Sequence, residues 1–191
     1  MDMRQLRYFV QIVESGSLAK ASINRKLAKA LVRVAPPELS MSEIPIGDLP
    51  LYSYDYDADY PPVARAFKQA IADVDAVLFV TPEYNRSVPA VLKNAIDVGS
   101  RPYGHSVWTG KPAAVASVSI GAIAGFGANH HLRQSLVFVD MPVLQQPEAY
   151  IGGAGSLFDT QGELSNAGTR EFAARFIQAY AAWVERLLGR A

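Results

Sequence analysis

From about Ile44 onward, short apolar runs alternate with stretches whose apolar positions recur at helical spacing. Pro61-Pro62 opens one such stretch, in which Val63, Ala66, Phe67, Ala70, Ile71 and Val74 fall at i, i+3, i+4 intervals. Proline is well tolerated in a first helical turn, where its missing N–H would have had no partner, so a helix is expected there. It leads into Ala76-Val77-Leu78-Phe79-Val80, a run with no polar alternation. A strand with one wet face would alternate; this one predicts a strand covered on both faces by helices. Ser87 is placed to cap a second helix running through Val91, Leu92, Ala95 and Ile96, with Pro89 near its first turn.

Ala113 to Val118 is a further apolar run, ending in the small-residue stretch Ser119 to Gly127. A helix from about Ala128 to Val139 follows, and Met141-Pro142-Val143-Leu144 reads as another short strand. The last helix, roughly Asn166 to Leu188, places Phe172, Phe176, Ala179, Tyr180, Trp183 and Leu187 on one stripe. Strands and helices in this alternation predict an α/β fold with a doubly wound parallel sheet. Right-handed crossovers put helices on both faces, and such sheets bind ligands at the carboxyl ends of their strands. No internal repeat or low-complexity linker divides the chain, so residues 1–191 are expected to form a single domain.

At 191 residues the chain is long enough for one substantial core. Half of it is hydrophobic and 19% is charged, a soluble, globular composition. Eighteen basic residues balance eighteen acidic ones, which gives no general affinity for nucleic acid or anionic membrane. The same neutrality removes one defence against self-association. With no cysteine, disulfides, thiolate metal sites, iron–sulfur ligation and a cysteine nucleophile are excluded. Charges and prolines interrupt every long apolar segment, so no membrane span is expected. Met1 to Val13 carries Asp2, Arg4 and Arg7 rather than the apolar run of a signal peptide, which makes the cytoplasm the expected location. His130 and His131 would point about 100° apart on a helix, and His105 is remote, so no metal site is expected.

Three loops fall at the carboxyl ends of predicted strands. Gly16 to Asn24 precedes a helical run from Arg25 to Val34. Its small residues let a backbone approach an anion, and Ser17, Ser22 and Asn24 can donate to phosphate oxygens beside a helix amino terminus worth about half a positive charge. The same stretch also fits an ordinary serine-capped loop. Thr81 to Pro89 offers a proline, a carboxylate, an aromatic ring and an amide that can flank a flat heteroaromatic ring, or simply a turn before a helix. The glycines of Ser119 to Gly127 suit either close backbone approach or loop flexibility. Gly104 to Lys111 imitates a phosphate loop but has Pro112 where a hydroxyl is needed, and reads as a surface loop. Tyr52, Tyr54, Tyr56 and Tyr60, interleaved with Asp55, Asp57 and Asp59, read most simply as an exposed loop, the alternative being aromatics that border a substrate entrance.

Taken together, Thr81-Pro-Glu-Tyr-Asn-Arg-Ser-Val-Pro89, Leu92-Lys-Asn-Ala-Ile-Asp97 and His131-Leu-Arg-Gln134 resemble the NADPH-dependent FMN reductase family, which includes chromate and quinone reductases. Gly47-Asp-Leu-Pro-Leu-Tyr52 and Pro147-Glu-Ala-Tyr-Ile-Gly152 add to the resemblance, which runs from about Gly16 to the carboxyl terminus. It implies a flavodoxin-like, five-stranded parallel sheet of order 2-1-3-4-5. It also implies that Gly16, Ser17, Ser22 and Asn24 hold the phosphate of FMN, that Pro82, Glu83, Tyr84 and Asn85 line the isoalloxazine, and that Ser119 and Gly121 approach its other edge. The implied reaction is ping-pong: NAD(P)H delivers hydride to flavin N5, leaves, and a quinone, chromate or free flavin takes the electrons. No side chain need act as a catalytic acid or base, because the cofactor carries the chemistry. A homodimer or homotetramer is implied, with Pro82 to Ser87 near a partner subunit, and Trp108 is free to face either the flavin or that partner.

Two stretches depart from the family pattern. Where its phosphate loop reads Gly-Ser-Leu-Arg, this chain has Ala19. Met1 to Ser22 resembles the opening of LysR-type transcriptional regulators, but their recognition helix, wing and linker helix are absent, leaving no element to read a DNA groove. Leu6 to Val13 is rich enough in aromatic and β-branched residues to serve as the first strand, although Gln11 and Glu14 are awkward in a buried one. A folded but flavin-free scaffold is the alternative that these departures leave open. Restoring the lost charge, Ala19→Arg, is expected to tighten FMN binding by about 1.5–3 kcal/mol, the worth of a charge-assisted hydrogen bond; a dissociation constant that does not move in a titration of apoprotein would count against the phosphate-loop assignment.

Overall fold

Strands β1 (Leu6–Ile12), β2 (Leu39–Glu43), β3 (Ala76–Thr81), β4 (Ala113–Val118) and β5 (Ala149–Ile151) alternate along the chain with helices α1 (Leu18–Arg33), α2 (Pro62–Ala72), α3 (Ala90–Ser100), α4 (Phe126–Phe138) and α5 (Ala167–Leu187). This computed structural model describes residues 6–12 and 18–189, and for 6–12 and 18–21 the backbone alone. In space the strands lie in the order β2-β1-β3-β4-β5, and every neighbouring pair is parallel.

Every residue of β3 and β4 is buried, which accounts for the missing alternation in their sequences. Leu78 and Val80 point into a core shared with α1 and α5, where Leu27, Leu31, Phe176 and Tyr180 meet them. Val77 and Phe79 point the other way, against Phe67 and Ile71 of α2, Leu92 of α3, and Leu132 and Leu136 of α4. One strand thus anchors both helical layers. The segment that resembles a LysR-type first helix is instead an inner strand: Val10 sits opposite Glu43 on one side and Leu78 on the other. Glu14, Gly16 and Ser17 lie outside the described residues.

Several expectations are corrected. Helix α1 begins at Leu18, so Ser22 and Asn24 belong to the helix rather than to a loop before it. Helix α3 is preceded by Pro89 with no side-chain cap, and Ser87 belongs to a turn instead. Met141 to Leu144 is not a strand; Val143 makes only an isolated bridge to Ala113, and the edge strand is Ala149–Ile151. The strand at Leu39–Glu43 carried no apolar run to reveal it. On α5 the buried stripe is Ala173, Phe176, Ile177, Tyr180, Ala181 and Val184, while Leu187 is exposed. On α2 it is Ala64, Phe67 and Ile71, with Val63 exposed.

Two aromatic residues of the tyrosine-rich and pre-β4 loops are structural. Tyr60 is buried and its hydroxyl donates to the Val98 carbonyl at 2.9 Å. Trp108 faces neither a ligand nor the surface. It is wholly buried, with its ring centroid 6.1 Å from those of Phe67 and Phe79, and its Nε1 donates to the Ile96 carbonyl at 2.9 Å. Gly99 makes room for it: a Cβ there would lie 2.4 Å from the indole nitrogen. Gly99→Ala would gain helix propensity of about 1 kcal/mol yet overpack this core at a cost of roughly 1–3 kcal/mol. A lower melting temperature is therefore expected, and a higher one would contradict the packing.

Candidate functional site

The carboxyl ends of β3 and β4 open into a cleft of about 100 Å³ lined by Ile23, Asn24, Pro82, Glu83, Val118, Ser119 and Ile120. Larger hollows exist, of about 540 Å³ beside Lys68 and His105 and about 660 Å³ between Arg101 and Phe138. Both border the carboxyl end of α3 or the loop after it, toward the amino ends of the strands. Position decides in favour of the smaller cleft, because a doubly wound sheet gathers its loops, and its ligands, at the opposite end.

Three segments build the cleft. Asn24, buried on α1, forms its floor together with Pro82, which fixes the backbone as β3 ends. Ser119 follows β4 directly and its hydroxyl donates to the Gly121 carbonyl at 3.2 Å. A Cβ on Gly121 would meet nothing closer than 3.9 Å, so that stretch of backbone is open to a ligand. Ile120 adds an apolar wall that is 66% exposed. Ser22 is exposed on α1, one residue before the lining residue Ile23. Tyr84 and Ser87 exchange backbone hydrogen bonds at 3.0 and 2.9 Å around Asn85 and Arg86, whose φ angles of 49° and 64° form a mirror-image turn. Asparagine adopts this left-handed backbone readily, whereas arginine does so less often, so surrounding contacts must hold the turn.

Those contacts come from α4. The Glu83 side chain, only 11% exposed, is committed to protein: one carboxylate oxygen accepts the Ala128 N–H at 3.1 Å and the other pairs with Arg86 at 3.0 Å. Helix α4 has Gly125 at its amino cap and no capping side chain of its own, so Glu83 satisfies one of its orphan N–H groups from another loop. Gly127 permits the approach, since a Cβ there would fall 2.7 Å from the Arg86 carbonyl and 3.0 Å from Glu83. One turn later, His131 Nδ1 lies 3.0 Å from the Ser87 hydroxyl. Beneath the β4–α4 loop, Ser117 donates to the Ala124 carbonyl at 2.8 Å, and Asn129 receives the Arg133 Nε–H at 2.8 Å.

Sequence reasoning did not find this support, and its one signal was the polar Ser117 inside an apolar run. On the outer side of α4, the Tyr150 hydroxyl lies 3.1 Å from His130 Nε2, its pKa pushed up to about 12 by burial and then by Glu148. It therefore stays protonated at neutral pH. Among the described residues no three acidic or histidine side chains converge as metal ligands, and no helix is long and apolar enough to cross a membrane.

A parallel α/β sheet with its cleft between the loops after two central strands is of the nucleotide- and flavin-binding class. The family model for NADPH-dependent FMN reductase matches residues 10–156, and the chain belongs to that family. The match begins inside the LysR-like head. A quinone reductase of Pseudomonas putida is 61% identical over 179 residues, spanning 93% of this chain and 95% of the relative. A 2-hydroxy-1,4-benzoquinone reductase of Burkholderia sp is 52% identical over 169 residues, 88% of this chain and 92% of the relative. Among solved structures, the flavoenzyme NAD(P)H:(acceptor) oxidoreductase FerB of Paracoccus denitrificans superposes with a TM-score of 0.85 at 37% identity, covering 96% of this chain and 98% of that one.

The two loop glycines provide a paired test. Gly127→Ala is expected to destabilise the folded protein by about 1–3 kcal/mol, because helix and loop would have to separate. Gly121→Ala, facing open space, should leave thermal unfolding nearly unchanged; equal effects would show that the two loops are not packed as described.

Proposed function

We propose that this chain is an FMN-dependent oxidoreductase that passes electrons from NAD(P)H to quinones. Membership of the FMN reductase family, together with a cleft formed by the loops that follow β3 and β4, carries this reading. The relatives named as quinone reductases supply the acceptor class. The lining fits a flavin in chemical character: Pro82, Val118 and Ile120 are apolar, whereas Asn24, Ser119 and the open backbone at Gly121 are polar. When bound, FMN would supply two-electron acceptance from a nicotinamide and onward transfer to the acceptor.

The protein's part is to bind and orient. Gly16 and Ser17, with Ser22 and Asn24 on the helix that follows, are proposed to hold the phosphate end. Pro82, Tyr84 and Asn85 are proposed to wall the ring, with Glu83 as their support, while Ser119 and Gly121 face its other edge. The same reading takes the chain as one cytoplasmic domain, with the LysR-like head as first strand of the order 2-1-3-4-5, assembled as a homodimer or homotetramer. Phe138 and Tyr103, both largely exposed around one hollow, support self-association, since large apolar side chains clustered in water favour a covered face. Purified protein is expected to be yellow, to retain FMN in stoichiometric amount, and to turn over NADPH or NADH many times when a benzoquinone is supplied. Colourless protein that neither takes up FMN nor oxidises either nicotinamide would refute the proposal.

A further inference from the structure

We infer that Glu83 is a positioning residue whose charge, held at the amino terminus of α4, makes the bound flavin harder to reduce. The inference rests on the FMN reading above and concerns how that site is tuned. Glu83 stands among the cleft-lining residues, yet its carboxylate is spoken for by the Ala128 N–H and Arg86. Two consequences follow. The first is mechanical: a residue of the β3–α3 loop closes an orphan donor of α4, and Gly127 lets the backbones meet, so the two loops that line the cleft are joined without any ligand.

The second is electrostatic. A helix amino terminus carries about half a positive charge, and one aimed at a flavin site would favour the reduced ring, which gains negative charge. Here a carboxylate that is largely shielded from water covers that end. Its compensating cation does not share the shielding: the Arg86 side chain is 68% exposed, against 11% for Glu83. A buried charge acts at a lower effective dielectric than an exposed one, so the carboxylate dominates the field at the cleft. Electron density added to the ring would meet a net negative neighbour. A general reductant of quinones benefits from this, because a lower potential leaves more driving force for the second half of the reaction.

Substitutions that change charge with little change of shape separate the two consequences. In Glu83→Gln an amide oxygen still accepts the Ala128 N–H, but the charge is gone. Arg86→Gln leaves the carboxylate without its cation. Midpoint potentials measured by dye equilibration on the FMN-loaded proteins are expected to shift in opposite directions, more positive for Glu83→Gln and more negative for Arg86→Gln. Damage to the loop would move both the same way, and that result, or no movement in either, would overturn the inference. Should Glu83→Gln fail to hold flavin, the Arg86→Gln shift decides alone. Without FMN, Glu83→Ala should melt lower than Glu83→Gln; identical melting would show that the link to α4 does not hold the loops. Wild-type protein that binds no FMN would overturn both this inference and the reading beneath it, whereas a yellow protein with unmoved potentials overturns this one alone.

Discussion

Strands β3 and β4 have no face in water, and that is tolerable only while two helical layers stay pressed against them. Their interior positions are accordingly apolar or small, and the hydroxyl of Ser117 inside β4 is committed to the Ala124 carbonyl. Any chemistry must come from the loops at the strand ends, where the backbone leaves the sheet with its hydrogen bonds unfinished. The described part of the cleft is built from those loops: Pro82 and Glu83 after β3, Ser119 and Ile120 after β4, with Asn24 closing the floor from α1.

Loops that finish their own hydrogen bonds can be rigid without a ligand. The link from Glu83 to Ala128, the pairing with Arg86 and the Ser87–His131 contact bind the first turns of α4 to the strained turn at Asn85 and Arg86. A residue whose type suggests contact with a cofactor thus serves first as a brace. The same carboxylate sets the sign of the local field, so stability of the loops and tuning of the site come from one side chain.

Local pattern made much of this architecture legible, and its failures have physical causes. The unalternating runs at Ala76 and Ala113 announced buried parallel strands because burial on both faces leaves that mark. The second and fifth helices came close to their observed bounds for a similar reason, their apolar spacing being regular. Leu39–Glu43 is polar at most positions, since an edge strand needs only one buried side chain to be held, and nothing local announces it. Met141 to Leu144 is apolar without being a strand; Met141 and Leu144 fill core space, but only Val143 pairs with a neighbouring strand. Site residues were named by motif, yet the role of Glu83 depends on an N–H 45 positions away, a separation to which helical and strand periodicities are blind. Trp108 was misplaced for the same reason, as its pocket exists only because Gly99, Phe67 and Phe79 converge from three different elements.

The central claim is that the loops after β3 and β4 form one preassembled flavin cleft. Hydrogen exchange of the backbone amides, followed with and without FMN, tests it most directly. The account predicts that the amides of Phe126 and Ala128 are already protected in the apoprotein and that added FMN slows exchange chiefly at residues 83–85 and 119–122. Unprotected amides at Phe126 and Ala128 in the apoprotein, or flavin-induced protection centred on the hollow near Arg101 and Phe138 instead, would contradict it.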